Sequence, residues 1–177
     1  MPSNIEIKAK VENLDRTRSL VRQLTTDPCQ ELIQQDIFFT CATGRLKLRI
    51  LSENSAELIS YTRPDTPGAK QSDYRIYRTS NPQSVREVLA HALGETVIVK
   101  KRRELYLVGQ TRIHLDEVEG LGDFIELEVV LGPGDTPQYG HEIARGLMKQ
   151  LDIHSSNLIS CAYADLLLQK TKDNENH

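Results

Sequence analysis

The sequence predicts an α+β fold, an eight-stranded antiparallel β-barrel that closes on itself and carries helices at its periphery. Three observations support this prediction. Short segments along most of the chain alternate apolar and polar residues, as strands with two different faces do. Turn-rich stretches join most of these segments in succession, and hairpin connections make neighbouring strands antiparallel. The other segments have apolar residues at helical spacing, and eight strands are enough to close a barrel without free edges.

The first half of the chain predicts five strands and one helix. Residues 4–11 alternate apolar and charged side chains, so they predict the first strand. Residues 13–25 have leucines at helical spacing, and Asn13 or Asp15 is suited to cap that helix. The remaining strands of this half, separated by turns, are predicted at 31–41, 44–52, 55–63 and 72–79.

The second half predicts three more strands and three helices. Asn81 and Pro82 precede a helix of about 84–93, because proline suits the first helical turn. Further strands are predicted at 96–108, 110–117 and 123–132, and further helices at 137–151 and 161–169. We expect a single domain over residues 1–169, followed by a polar C-terminal tail over residues 170–177.

The composition of the chain argues against several classes of protein function. With 38% hydrophobic and 27% charged residues, the chain is predicted to be globular. Its net charge is −3, so the chain lacks the overall positive charge that favours binding to nucleic acid. The N-terminal residues lack the apolar core of a signal peptide, and no window approaches the roughly 20 apolar residues of a membrane span. Cys29, Cys41 and Cys161 fit neither a disulfide framework nor a CxxC metal site, so we expect a cytoplasmic protein with no nucleic-acid or membrane partner. The residues leave open whether it forms a homodimer.

Charged residues recur on one face of several predicted strands. Same-face neighbours lie roughly 6.5–7 Å apart, so like charges repel unless a counter-ion lies between them. Carboxylates at this spacing suit Mg²⁺ or Mn²⁺, and lysines and arginines suit phosphate oxygens. A solvated sheet face is the alternative for any single strand. The residues concerned are Glu6, Lys8, Lys10, Arg45, Lys47, Arg49, Lys101, Arg103, Arg112, His114, Asp116, Glu126 and Glu128.

Six short motifs carry a resemblance to a known family. Five of them are Asn4–Lys8, Leu46–Arg49, Glu57–Asp65, Lys101–Glu104 and Tyr163–Leu167. The sixth and most distinctive is LDEVEGLGDFIELE, residues 115–128. In this order, and over nearly the whole chain, they resemble the CYTH superfamily, also called the triphosphate tunnel metalloenzymes. That superfamily includes class IV adenylate cyclases, thiamine triphosphatases and inorganic tripolyphosphatases.

The resemblance implies a barrel that forms a tunnel, in which basic residues contact a small-molecule triphosphate and acidic residues hold metal. By position, it implies that Glu6, Glu126 and Glu128 are ligands of Mg²⁺ or Mn²⁺. It makes Asp116 a ligand or an acid behind the ligands, and these four acids are the candidate catalytic residues. The phosphate contacts that it implies are Lys8, Lys47, Arg49, Arg63, Lys101 and Arg103.

The sequence departs from the family pattern at three positions. Asn4 replaces the first acid of the ExExK strand; its amide offers a neutral oxygen to a cation, or else it caps the strand end and faces solvent. Lys47 replaces the usual arginine and loses bidentate geometry. Ala162 replaces a serine and removes a hydroxyl. Lys70 and Arg75 are further phosphate candidates, although the turn before them obscures their register.

Three functions are compatible with these residues. The first is metal-dependent hydrolysis of a triphosphate, the second is cyclisation of ATP to cAMP and pyrophosphate, and the third is a binding module without turnover. No motif separates water from a ribose hydroxyl as the nucleophile. His114 is either a general base or a hydrogen-bonded histidine of the inner wall. The basic run at 100–103 is short and has no aromatic interleaving, which disfavours nucleic acid.

Overall fold

The computed structural model describes residues 3–62, 64 and 68–175, and these form eight strands and four α-helices. The strands are β1 Ser3–Lys10, β2 Gln30–Phe39, β3 Arg45–Ser52, β4 Ser55–Thr62, β5 Lys70–Thr79, β6 Glu95–Val108, β7 Thr111–Val118 and β8 Gly122–Leu131. The helices are α1 Leu14–Arg22, α2 Pro82–Leu93, α3 Pro137–Gln150 and α4 Tyr163–Glu175, with a short 3₁₀ turn at Ser155–Asn157 before α4.

The strands close into one antiparallel barrel in the order β1-β5-β4-β3-β2-β6-β7-β8, which confirms the predicted fold class. β1 pairs with β8 along its whole length, Ser3–Lys10. Its pairing with β5 is shorter and covers only Ser3 to Glu6 against Lys70–Asp73. Within the described residues, the second half of β5 therefore pairs with β4 alone, which leaves this part of the barrel rim without a second neighbour.

Helices cover the apolar outer faces of the barrel. Ile5, Ile7 and their outward neighbours on β7 and β8 pack under α1 and α3, and Leu48 with its neighbours packs under α2. Helix α3 lies close to β1 because it has Gly140 at the contact: a Cβ there would come within 2.6 Å of Ile5 Cγ1. Successive side chains of a strand point to opposite faces of the sheet. Because the outward-facing side chains are apolar, the charged side chains that alternate with them point inward.

The start of α4 covers one end of the barrel. Tyr163 and Ala164 are buried against Phe38, Val99 and Phe124, which line that end. The Phe124 and Tyr163 rings lie 4.9 Å apart between centroids, in the tilted geometry that aromatic pairs favour. Arg45 on β3 also donates to Asp165 at 2.7 Å. The barrel is thus covered at one end by residues that precede and begin α4.

The last helix extends beyond its predicted boundary. The sequence predicts its end at residue 169, where the apolar residues stop, yet α4 continues to Glu175. Polar contacts support the added turns: Gln169 donates to Asp173 at 2.8 Å, and the Thr171 hydroxyl donates to the Leu167 carbonyl at 3.1 Å. None of the described helices has the length and hydropathy needed to cross a membrane.

Candidate functional site

The barrel encloses a cavity of about 290 Å³ lined by charged side chains. Eight of the ten residues that the family resemblance singles out line it: Glu6, Lys8, Lys47, Arg49, Lys101, Arg103, Glu126 and Glu128. Asp116 lies behind the lining, and Arg63 lies outside the described residues, so its contact with phosphate stays a prediction. A solvated sheet face, the alternative for any single strand, is wrong for these eight residues, because they line a shared lumen, whereas Lys10 is exposed and Arg45 does not line the cavity.

Two further phosphate candidates on β5 do not line this cavity. Tyr74 and Ile76 line it, so the alternation of the strand places Arg75 between them on the outer face. Lys70 is buried and donates to the carbonyl of Ser160, next to the covered end of the barrel. The expectation that Arg75 contacts phosphate is therefore wrong, and Lys70 instead holds the segment before α4.

The basic wall of the lumen is built around one carboxylate, Asp36 on β2. Arg49 donates to both of its oxygens at 2.8 and 2.7 Å, and Lys47 Nζ donates at 2.8 Å. Lys101 Nζ lies 3.6 Å from Asp36 Oδ2. Burial opposes the ionisation of Asp36, but the charges of Lys47, Arg49 and Lys101 hold its pKa well below the usual value. A single ionised carboxylate thus orients three predicted phosphate ligands.

Lys101 on the basic wall has a pKa close to neutral pH. Burial, with the nearby charge of Arg103, lowers the pKa of Lys101 to about 7, although Asp36 acts in the opposite direction. The lysine is 7% exposed, so its ammonium group receives little solvation. The charge of Lys101 therefore changes near neutral pH, and burial with the charge of Arg49 also lowers the pKa of Lys47.

Asp116 and Tyr163 orient Arg103 between the two walls. Arg103 donates two hydrogen bonds of 2.7 Å to the Asp116 carboxylate, and the Tyr163 hydroxyl donates a third at 2.7 Å. Burial opposes ionisation, but Arg103 outweighs it and lowers the pKa of Asp116 to about 2. Because both Asp116 oxygens are engaged and the residue has 0% exposure, it is placed behind Arg103.

The acidic wall consists of β1, β7 and β8. Register places Glu6 opposite Glu128 and Lys8 opposite Glu126 on β1 and β8. Glu126 lies 3.2 Å from Lys8 Nζ and 3.4 Å from an Arg103 nitrogen. Burial disfavours its ionised form, but Lys8 and Arg103 hold the pKa of Glu126 well below the usual value. The carboxylate is thus ionised and able to accept a cation.

His114 on β7 completes a group of potential metal ligands. Its Nδ1 lies 3.2 Å from Glu126 Oε1 and 3.9 Å from Glu128 Oε1. One ligand atom of each residue falls within 4.8 Å of the other two, a spacing that suits a single ion. Glu128 also accepts from Arg112 at 2.9 and 2.7 Å, which holds its carboxylate in place.

Asn4 contributes an unpartnered oxygen to the same lumen. The residue lines the cavity and is 4% exposed, so the solvent-facing interpretation of Asn4 is wrong. Its Oδ1 is buried and has no hydrogen-bond partner among the described residues. Leaving such an atom unpaired costs about 1–3 kcal/mol. An oxygen of this kind, two residues before Glu6 on the wall that carries the carboxylates, fits a divalent cation as its missing partner.

Sequence reasoning did not assign roles to two residues of the site. Asp36 lies in QQDIFF, where apolar residues follow on both faces, so alternation does not mark it as inward-facing. A lone acid on a strand adjacent to a strand with three bases could have indicated a counter-ion. Tyr163 begins the motif Tyr163–Leu167, yet its contact with Asp116 depends on how α4 covers the barrel, which no local pattern specifies.

The fold and the lumen define a class of protein: a closed β-barrel with an interior lined by basic side chains, which suit a polyanion, and by carboxylates, which suit a metal ion. The chain matches the CYTH domain family over residues 3–163 and belongs to that family, which confirms the resemblance of its motifs. The family includes adenylate cyclases and triphosphatases and uses divalent cations.

Similar proteins share most of their length with this chain. Adenylate cyclase CyaB of Aeromonas hydrophila is 26% identical over 160 residues, which cover 74% of this chain and 82% of that protein. A Methanocaldococcus jannaschii protein whose name also refers to adenylate cyclase is 24% identical over 169 residues, covering 92% and 97%.

Solved structures also share the fold. The PH1012 protein of Pyrococcus horikoshii superposes with a TM-score of 0.81 at 20% identity and covers 92% of this chain and 98% of its own. HpAC1 from Hippeastrum, described as having a dominant triphosphatase activity, has a TM-score of 0.65 at 18% identity, with coverage of 97% and 96%. At these identities the likeness concerns the fold.

Proposed function

We propose that this protein binds a triphosphate and a divalent cation, Mg²⁺ or Mn²⁺, in the barrel lumen and hydrolyses a phosphoanhydride bond. The observation that carries the proposal is the division of one cavity into a wall of bases and a wall of carboxylates. A polyanion and a cation bound side by side neutralise both walls. Membership of the CYTH family, with its cyclases and triphosphatases, supports an enzyme.

The bases bind and orient the substrate. Arg49 and Arg103 each present a planar group already fixed by a carboxylate, so little side-chain entropy is lost when a phosphate binds. Lys47 and Lys101 add point charges beside them, and these charges stabilise the negative charge of the transferring phosphoryl group.

The carboxylates hold the cation and the water. Glu126 and Glu128 lie two residues apart on β8, and Glu6 is opposite Glu128 in the β1–β8 pair. The bound cation supplies charge neutralisation at the phosphate and a more acidic water. Tyr163 and Phe124 exclude solvent from the covered end, which strengthens each electrostatic contact inside.

The open rim offers apolar contacts to an organic group attached to the phosphates. Leu32, Leu105 and Ile76 line the lumen, and Ile76 is 40% exposed on the half of β5 that lacks a β1 partner. These side chains suit a base or another ring better than they suit inorganic tripolyphosphate. They favour an organic triphosphate as the substrate.

Cyclisation of ATP is a second candidate, favoured by the name of the Aeromonas relative. The triphosphatase activity described for HpAC1 supports hydrolysis in the same fold. A module that binds a triphosphate without turnover is the third, and the missing charge at Asn4 favours it. The three differ in products, since hydrolysis releases phosphate or pyrophosphate, cyclisation yields cAMP with pyrophosphate, and binding yields neither.

The test measures phosphate, pyrophosphate and cAMP from ATP, thiamine triphosphate and tripolyphosphate with Mg²⁺ or Mn²⁺. We expect phosphate release that is lost with chelator and strongly reduced in Arg49→Gln. Arg102→Gln is the matched control, because Arg102 lies on the outer face and pairs with Glu31. cAMP as the main product would show that the protein cyclises ATP and does not hydrolyse it. Binding of a triphosphate without any product would support the binding module without turnover.

A further inference from the structure

The group His114, Glu126 and Glu128 has the dimensions of a cation site. Two ligand atoms about 2.1 Å from one octahedral ion lie about 3.0 Å apart when adjacent and about 4.2 Å apart when opposite. His114 Nδ1 lies 3.2 Å from Glu126 Oε1 and 3.9 Å from Glu128 Oε1, and both distances fall within these limits. One ligand atom of each of the three residues lies within 4.8 Å of the other two, so small side-chain rotations are sufficient for all three to ligate one ion.

Strand register explains why a histidine reaches this place. His114 is opposite Glu126 in the β7–β8 pair, and Arg112, two residues away on the same face, is opposite Glu128. Directly opposite side chains on one face lie about 4.5–5.5 Å apart at Cβ, so the imidazole meets the carboxylate at the level of the lumen. His114 is 4% exposed and lines the cavity, as a ligand must.

Asn4 gives the second, independent observation. Its buried Oδ1 has no partner among the described residues and faces the same lumen as the three ligands. Glu6 follows two residues later and is opposite Glu128, which places Asn4 diagonally across from Glu128. The wall thus combines an unsatisfied neutral oxygen with a tight group of two carboxylates and an imidazole.

We propose that His114 Nδ1 is a direct ligand of the divalent cation, together with Glu126 and Glu128, and that Asn4 Oδ1 adds a neutral oxygen. The inference rests on the cation site of the proposed function but not on hydrolysis. A nitrogen ligand strengthens binding of transition-metal cations from Mn²⁺ to Zn²⁺ relative to Mg²⁺, because Mg²⁺ takes oxygen ligands. His114 is therefore the residue that sets the metal preference.

The decisive measurement is pulsed EPR of Mn²⁺ added to the full chain without substrate. We expect a hyperfine coupling from a directly bound imidazole nitrogen, which changes when the histidines carry ¹⁵N. A histidine that only hydrogen-bonds to Glu126 would give no coupling of that size. Mn²⁺ that binds without the nitrogen signal would overturn the inference and leave the proposed hydrolysis standing, because turnover is assayed separately.

Two variants assign the nitrogen. His114→Gln should abolish the coupling and weaken Mn²⁺ binding at least about tenfold, since loss of even an outer partner of a ligand costs about 10–100-fold. Mg²⁺ binding should weaken much less. His154→Gln is the control, because His154 is exposed and lies beside Asp152 outside the barrel. A nitrogen signal that persists in His114→Gln, or equal losses for Mg²⁺ and Mn²⁺, would also overturn the assignment.

Discussion

The two walls of the lumen balance their charges in different ways. On the basic wall, Lys47, Arg49 and Lys101 share one buried counter-ion, Asp36. On the acidic wall, the Asn4 side-chain oxygen has no hydrogen-bond partner within residues 3–62, 64 and 68–175, and it faces the lumen that contains a group of potential metal ligands. The basic wall thus shares a single counter-ion, whereas on the acidic wall Glu126 pairs with Lys8 and Arg103, Glu128 pairs with Arg112, and both carboxylates also lie in a group of potential metal ligands.

This difference separates two properties that a triphosphate site needs. A preassembled basic wall lowers the entropy cost of binding, but its internal carboxylate competes with phosphate for the same donors. An incomplete acidic wall makes metal binding sensitive to each single ligand. Substitutions on the basic wall should therefore act on stability and on phosphate affinity, and substitutions on the acidic wall should act on metal affinity and turnover.

The largest expected effect comes from Asp36→Asn. Removal of this charge leaves three buried cations facing one another, and breaking a buried ion pair costs about 3–5 kcal/mol. Denaturant unfolding should show this loss, and tripolyphosphate should raise the melting temperature of the variant more than that of the native protein, because it replaces the lost anion. Glu31→Gln on the same strand is the control, since its pair with Arg102 is exposed and costs about 0–1 kcal/mol. Equal stability of the two variants would disprove the counter-ion role.

Glu128→Gln tests the acidic wall directly. Removing one group that stabilises charge in a transition state costs about 10²–10³ in rate, so metal-dependent turnover should fall by that factor. The fold should persist, because Glu128 is more exposed than Glu126 and its partner Arg112 reaches solvent. Glu117→Gln, on the outer face of β7, should keep native rates. A variant at Glu128 with unchanged metal-dependent rates would remove this residue from the metal ligands.

The sequence predicted the walls best where strands alternate cleanly. β1, β3 and β8 carry most of their charges on one face and apolar residues on the other, so the alternation was sufficient to place those charges, whereas β6 carries basic residues on both faces. β5 follows a turn that obscures its register, so the sequence could not show that the phosphate candidate Arg75 lies on the outer face. Asp36 could not be placed because β2 is buried on both sides, by α2 outside and by the covered end inside.

Long-range packing accounts for the remaining differences. That α4 begins at the end of the barrel follows from contacts between Tyr163 and residues far away in the chain, and hydrophobic periodicity carries no information on such contacts. The ligand group of His114 with Glu126 and Glu128 depends on the β7–β8 register, which the short EGLG turn specifies. The histidine was recognised as inward-facing, but its distance from the carboxylates required the structure.

The pH dependence of phosphate binding should sharpen the description of the basic wall. In the free protein the pKa of Lys101 is about 7, and a bound polyanion raises it. Binding above pH 7 therefore takes up a proton, and affinity for tripolyphosphate should fall by about tenfold between pH 7 and 8.5. Calorimetry in buffers of different ionisation enthalpy measures the proton uptake. The arginine of Lys101→Arg stays charged, so this variant should lose the proton uptake that accompanies tripolyphosphate binding. Identical proton uptake by the variant and the native protein would show that Lys101 is not the group that titrates.

The smallest expected effect, at Asn4, decides how far the acidic wall is incomplete. Asn4→Glu places a carboxylate where the amide oxygen has no partner in the part of the chain that the structure describes, so Mg²⁺ and Mn²⁺ should bind about three- to tenfold more tightly. The gain is limited because Glu6 and Glu128 are close and like charges oppose one another. Asn54→Glu adds the same charge at the exposed turn between β3 and β4 and controls for net charge. A metal titration without substrate that gives equal affinities for both variants would exclude Asn4 from the ligand set, and the unpartnered oxygen would then need another occupant of the lumen.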